Sequence, residues 1–348
     1  MRCLAACLVI TSAARGPHRR LEPADGKILH MAGQSEQEFR GYADYLGPAK
    51  RPLAFSDYHA LTDLNATGSG AAYFGKRRAF LDSLGDAGHA VLPHLGLALT
   101  PGGTVIDQIN RGQLDLAIEE LAGGLPLLGR PVFLRVGYEF NGHWNNYSAP
   151  GYVAAWRRIE AAIARNASTR RKVALVWDAS CDAVDAHGDH TDVMPFFPGA
   201  DVVDWWGVNV FNNDTGGLYD SMPNSSCVLD FVGAARREGQ DAPVLVAESL
   251  PRFVAGVTGG NAWSKWFDPF LRTLLLGQPN VKGFSYINRD CGQDPGAKPH
   301  CVGGQWGDGR INGPTLNATV GGKYSEALRA TNFVHGCSLP CVEAALGL

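Results

Sequence analysis

The sequence predicts a single-domain α/β protein folded as a closed (β/α)8 TIM barrel. Three observations predict it: eight short apolar runs that end in polar or aromatic residues, helical patterns between them, and 348 residues, enough for one such barrel.

The first run, KILHMAG (27–33), is followed by PLAFSDY (52–58), which ends in Asp57 and Tyr58. Apolar residues then recur at steps of three and four in YFGKRRAFLDSLGDAG (73–88), the period of a helix that buries one face. AVLPHLGLAL (90–99) is the third strand, and LDLAIEELAGG (114–124) a helix stopped by glycine. PVFLRVGYE (131–139) is the fourth strand, and GYVAAWRRIEAAIARN (151–166) a helix ending in Asn. KVALVWDAS (172–180) and VVDWWGVNVF (202–211) are the fifth and sixth strands, and because Trp205 and Trp206 adjoin, one of them faces the helices. The helix VLDFVGAARREG (228–239), the strand PVLVAES (243–249), the helix WSKWFDPFLRTLLLG (263–277) and the strand KGFSYIN (282–288) complete the series. Residues 26–336 are expected to form this one barrel, with 337–348 as a cysteine-containing tail clasping its bottom or flank.

Hydrophobic residues make up 45% and charged residues 19%, so the chain can bury a sizeable core and is not disordered overall. A net charge of -3, evenly spread, excludes the basic footprint of a nucleic-acid binder, and no run of apolar residues is long enough to span a membrane. MRCLAACLVITSAARG has the outline of a signal peptide (1–14), with a leader to residue 25. Six Asn-X-Ser/Thr triplets, at Asn65, Asn146, Asn166, Asn213, Asn224 and Asn317, strengthen the expectation of a secreted, extracellular protein. Asn146 and Asn213 are expected to be bare, because glycans there would obstruct the cleft.

Beyond Cys3 and Cys7, six cysteines remain, an even number that favours three disulfides in an exported chain. Local closure pairs Cys291 with Cys301 and Cys337 with Cys341, leaving Cys181 to reach Cys227, one of many connectivities six cysteines permit. No close pair of CxxC units occurs, and His187 and His190 near Asp182 and Asp185 read as a solvated polar loop, so no metal is expected.

Glu139 and Glu248 each follow an apolar run and precede turn-forming residues. In a (β/α)8 barrel, chemistry is carried at the C-terminal strand ends, where both fall. Two such carboxylates are what a retaining glycosidase needs, one a protonated acid and the other an ionised nucleophile, about 5 Å apart. The plainer reading is that each caps a helix or pairs with an arginine.

Arg135-Val-Gly-Tyr-Glu139-Phe-Asn-Gly-His-Trp144 resembles the strand-four motif of glycoside hydrolase family 26, and the segment from Phe197 to Phe211 resembles that family's entry to strand six. The resemblance covers about residues 26 to 330. It implies that Glu139 is the acid/base and Glu248 the nucleophile. Two departures stand out. Tyr138 occupies the position of a histidine, and Phe211 that of a tyrosine that hydrogen-bonds the nucleophile. Phe211 cannot donate, which disfavours or misorients the charged nucleophile unless Arg135 or another donor compensates.

Arg135 shares side-chain parity with Gly137 and Glu139, so it points into the barrel mouth, either to donate to Glu248 or as a structural ion pair. Tyr138 is a donor to the nucleophile or to a sugar hydroxyl, or a packing residue. Trp144, Trp177, Tyr286 and Trp306 lie at or just after strand ends, where flat rings stack on pyranose faces; the alternative for each is the core. Asn209 shares a face with Phe211 and is a sugar-hydroxyl partner. His94, Asp57 and Tyr58 line the subsite of the sugar whose bond is cut. In GQWGDGRING (304–313) the glycines do not open a helix, so a substrate-facing loop carrying Trp306, Asp308 and Arg310 is expected rather than a phosphate cradle.

The sequence thus predicts a monomeric, exported, retaining endo-β-glycosidase that takes a poly- or oligosaccharide such as β-mannan, β-1,3-xylan or β-glucan and needs no cofactor. A carbohydrate-binding pseudoenzyme, kept open by Phe211, and a barrel enzyme of different chemistry are the alternatives.

Overall fold

Eight strands pair in parallel in chain order: β1 (Ile28–Gly33), β2 (Ala54–Ala60), β3 (Leu92–Ala98), β4 (Val132–Val136), β5 (Val173–Ser180), β6 (Trp205–Phe211), β7 (Val244–Leu250) and β8 (Val281–Ile287). β8 pairs with β1 and β1 with β2, which closes the barrel. A two-residue strand, β9 (Phe333–Val334), adds to the start of β1. The computed structural model describes residues 19–86, 88–181, 192–211, 226–251, 262–291, 307–314 and 316–348. The signal-peptide segment, His187, His190, Asn213, Asn224, Cys301 and Trp306 lie outside the described residues.

The eight strands fall where the apolar runs predict, with one instructive difference. β4 stops at Val136 instead of reaching Glu139, because Gly137 and Glu139 take φ of 56° and 52°, and left-handed backbone cannot continue a strand. The helices α2 (Ser69–Leu84), α4 (Asp115–Gly124), α5 (Ala149–Ala164) and α7 (Ser226–Arg237) occupy the stretches with helical period. The stretch after β7 forms π-helical turns, Trp263–Phe267 and Phe270–Leu275, that bury Trp266, Phe267 and Phe270.

Helices α1 (Glu36–Leu46), α3 (Gly102–Asn110), α6 (Ala167–Arg171), α8 (Asn317–Ala327) and α9 (Leu339–Ala345) are additional. The start of α1 carries a legible signal, since Ser35 Oγ accepts from the Glu38 backbone N–H at 3.3 Å in a Ser-x-x-Glu start. α3 begins with two glycines that read as a turn.

Side chains alternate between two apolar shells. One lies between strands and helices, and the other fills the lower barrel, with Leu29, Met31, Ala54, Leu92, Phe133, Val176, Trp205 and Leu245 among its members. Leu21, Val342 and Leu346 join that lower cluster, and Trp205 Nε1 donates to the Arg20 carbonyl at 2.8 Å, so the tail helix α9 and residues 20–21 cover the barrel bottom. Burying each such aliphatic side chain contributes about 1.5–3 kcal/mol. The interior turns polar only near the C-terminal strand ends, at Ser56, His94, Arg135, Asp178, Asn209 and Glu248.

Disulfides join Cys181 to Cys227 and Cys337 to Cys341; Cys291 is also disulfide-bonded, and its expected partner Cys301 lies outside the described residues. Among the described residues no helix is long and apolar enough to cross a membrane.

Candidate active site

Arg135 organises the barrel mouth. It shares a face of β4 with Phe133 of the lower interior, and its guanidinium is wholly buried. Nε and Nη2 donate to Asp178 Oδ2 at 2.8 and 2.5 Å, and Nη2 also donates to Glu248 Oε1 at 2.5 Å. One cation thus serves two carboxylates, the arrangement that makes buried charges tolerable. Burial lifts the Asp178 carboxyl to about 6 against the pull of Arg135. His94, hydrogen-bonded through Nδ1 to Ser56 Oγ at 2.7 Å, is held well below 6.5 by burial and then by Arg135, and so stays neutral beneath the site.

Glu248 reaches the mouth through a register shift. Val208 pairs with Val246 but Asn209 pairs with Glu248, so Ala247 is skipped. Leu245 and Ala247 already face the lower interior, and regular alternation would turn Glu248 toward the helices; the bulge turns it inward. There it accepts from Tyr58 Oη at 2.7 Å on Oε1 and from Gln34 Nε2 at 3.0 Å on Oε2, in addition to Arg135. Burial, and then the charge of Glu248, push the Tyr58 phenol well above 10, so it remains a donor. Tyr138 takes the place of its packing alternative, beside that donor. Its ring meets Tyr58 edge-on at 5.0 Å and lies 5.1 Å from the Arg135 guanidinium, while Tyr58 makes the bond to Glu248. Gly96 leaves room for both rings, since a Cβ there would come within 2.7 Å of Tyr58.

Glu139 sits on a strained turn. Asn145 Nδ2 ties down the Tyr138 and Glu139 carbonyls at 3.0 and 2.9 Å, holding the positive φ in place. Asn209 Nδ2 donates to Oε1 and Trp144 Nε1 to Oε2, both at 2.9 Å. Burial and then the charge of Glu248 raise this carboxyl to about 7, with the Asn209 bond opposing them. Asn209 Oδ1 in turn accepts from Arg135 Nη2 at 3.5 Å, so Glu139, Asn209, Arg135 and Glu248 form one connected set.

Other expected members lie elsewhere. Trp177 is fully buried on the helix side, stacked on Phe140 at 4.5 Å and donating to the Phe196 carbonyl. Tyr286 is equally buried against Tyr42 and Tyr324, its hydroxyl donating to the Gly309 carbonyl. Alternation sends both rings outward because Asp178 and Ser285 take the interior positions. Asp57 likewise leaves the barrel interior to pair with Arg77 of α2. Phe211, 9% exposed, ends β6. Asp308 and Arg310 pair with each other at 2.8 Å, and Arg310 also reaches Asp290 at 2.9 Å.

Sequence reasoning missed Asp178 and Gln34. Asp178 sits inside an apolar run, VALVWDAS, where parity alone could have flagged it, whereas Gln34 carries no signal beyond following β1. Among the described residues no group of three or more His, Cys, Asp or Glu could hold a metal ion.

No protein-family model matches the chain. The β-1,3-xylanase TXYA of a Vibrio species is 26% identical over 351 residues, covering 95% of this chain and 70% of that protein. A β-1,3-xylanase of an Alcaligenes species is 25% identical over 328 residues, covering 88% of this chain and 64% of that one, so the chain spans about two thirds of these relatives. The catalytic domain of the GH26 endo-β-1,4-mannanase of Bacillus sp. JAMB-750 superposes with a TM-score of 0.57 at 13% identity, covering 90% of this chain and 89% of that one, and shows the shared barrel. Along most of its length the chain is thus similar to two β-1,3-xylanases, and it shares its barrel fold with a GH26 mannanase.

Proposed function

We propose that the chain is a secreted, retaining endo-β-glycosidase acting on a β-linked polysaccharide, with β-1,3-xylan the first substrate to try because both relatives carry that name. The observation that carries the mechanism is the split between two neighbouring carboxylates. Glu139 is raised to about 7 and so holds a proton near neutrality, while Glu248 accepts hydrogen bonds from Arg135, Tyr58 and Gln34, the surroundings of a carboxylate.

In the first step a Glu248 oxygen attacks the anomeric carbon. The bond to the glycosidic oxygen breaks, and that oxygen takes the proton of Glu139 and departs as a hydroxyl. In the second, Glu139, now a carboxylate, takes a proton from water as the water oxygen attacks the same carbon and releases Glu248, so configuration is retained. Arg135 and Tyr58 stabilise the carboxylate before attack and as it leaves again. Trp144, 45% exposed with its indole N–H on Glu139, supplies a flat face beside the acid for the departing sugar. Disulfides among the described residues support an oxidising compartment.

The test is reducing-sugar release from β-1,3-xylan, β-mannan, β-1,3-glucan and mixed-linkage glucan, with wild type beside Glu248→Gln. Release by wild type alone, with the product first appearing as the β anomer by proton NMR, is the expected result. An inactive wild type, or activity surviving in Glu248→Gln, overturns the mechanism.

A further inference from the structure

We infer that Gln34 is a positioning residue for Glu248, held in its working orientation by Arg289 and Glu38, which together link the end of β8 to the start of α1; this rests on the glycosidase reading above. Gln34 Nε2 donates to Glu248 Oε2 at 3.0 Å and to Tyr58 Oη at 2.5 Å, while its Oε1 accepts from Arg289 Nη1 at 3.3 Å. An amide can sit either way round. Here the flipped form would set its carbonyl oxygen against a carboxylate and its N–H against a guanidinium, so Arg289 fixes the useful orientation.

Arg289 is itself held, its Nε donating to Glu38 Oε1 at 2.7 Å, and both side chains are buried or nearly so. The clamp has a second strand of support, since Asn288 Nδ2 donates to the Glu38 carbonyl at 3.3 Å and the Ile311 N–H to Asn288 Oδ1 at 2.9 Å. The barrel seam brings these pieces together, because Gly33 of β1 pairs with Ile287 of β8 immediately before Gln34 and Asn288. Gly33 is required there, as a Cβ would come within 2.5 Å of the Ser56 carbonyl oxygen.

The consequence is geometric. Arg135 and Tyr58 both hold Glu248 Oε1, which leaves the carboxylate able to swing about its soft terminal torsion; Gln34 takes Oε2 and fixes its plane. The other charged or titratable groups around Glu248 are Asp178, Glu139 and Tyr138, none of which replaces that donor.

The experiment is the pH profile of kcat/KM for wild type, Gln34→Leu, Arg289→Met and the double variant, with thermal melts as the folding control. Losing a donor to a charged group should lower kcat/KM about ten-fold in Gln34→Leu on the acidic side of the profile, moving that limb up and leaving the alkaline limb in place. Arg289→Met keeps Gln34 and should move the same limb less, and it carries the test should Gln34→Leu not fold. The double variant should add little to Gln34→Leu, because the two act through one bond. A lower rate without a moved limb in folded variants of an active enzyme overturns the role of Gln34 alone. No hydrolysis by wild type overturns the glycosidase reading and this role with it.

Discussion

Tyr58 on β2 donates a hydrogen bond to Glu248 on β7 at 2.7 Å across the barrel mouth. The family resemblance places a tyrosine donor at the end of strand six, where this chain has Phe211. The phenol reaches the carboxylate from a strand far away in sequence instead, and supplies the kind of donor that Phe211 lacks.

Tyr58→Phe therefore tests the substitution directly. It keeps the ring and deletes the donor, so kcat/KM should fall roughly 10- to 100-fold, as expected for a lost bond to a charged group of about 1.5–3 kcal/mol. Unchanged kinetics in a folded variant would mean that the bond is dispensable.

On the proposed mechanism Glu139, raised to about 7, must be protonated to act as acid, so activity should decline as pH rises through about 7. Glu248→Gln removes the neighbouring charge and should lower the Glu139 pKa, whereas Asn209→Ala removes the opposing hydrogen bond and should raise it. Carboxyl titration by carbon NMR reads both shifts; movement of both in one direction would contradict the assignment.

Arg135→Met leaves Asp178 and Glu248 without their shared cation. Breaking a buried pair from one side costs roughly 3–5 kcal/mol, measurable by urea unfolding. Adding Asp178→Asn should recover part of the loss, and no recovery would argue against charge as its cause.

His30 and His335 form a second buried network. His335 Nε2 donates to the Leu328 carbonyl at 2.8 Å, and with both rings neutral its Nδ1 accepts from His30 Nδ1 at 2.9 Å. His30 Nε2 then accepts from Tyr42, whose oxygen accepts from Tyr324. Burial, and then His335, hold His30 well below 6.5, and burial lowers His335 too, with Lys50 adding to it against the Leu328 bond. The unfolded chain then takes up protons below about pH 6.5 that the folded one refuses, so stability present above that pH is lost beneath it, by up to ~1.4 kcal/mol per pH unit for each proton. Urea unfolding between pH 7.5 and 5 should show a flatter slope for His30→Gln; an equal slope would rule out this source of acid sensitivity.

The Cys181–Cys227 bridge ties the end of β5 to α7 across 46 residues. Chain entropy assigns a loop of that size about 4 kcal/mol, so replacing both cysteines by alanine should lower the urea midpoint markedly, and an unmoved midpoint would refute that contribution.

Eight buried strands were legible because apolar runs of strand length mark burial on both faces, and the interior direction of Arg135 followed from alternation along one strand. Chain order likewise put both glutamates at C-terminal strand ends, where a barrel exposes its chemistry. These are local facts, carried by composition and period within a single segment. What the folded barrel alone settled concerns pairs of segments. A bulge between β6 and β7 turns Glu248 inward beside Ala247, against the alternation of its own strand. Barrel closure sends Trp177 and Tyr286 to the helices and brings Tyr58, Gln34 and Asp178 to the glutamates. Register and closure depend on hydrogen bonds between strands distant in sequence, and no residue's own neighbours record them.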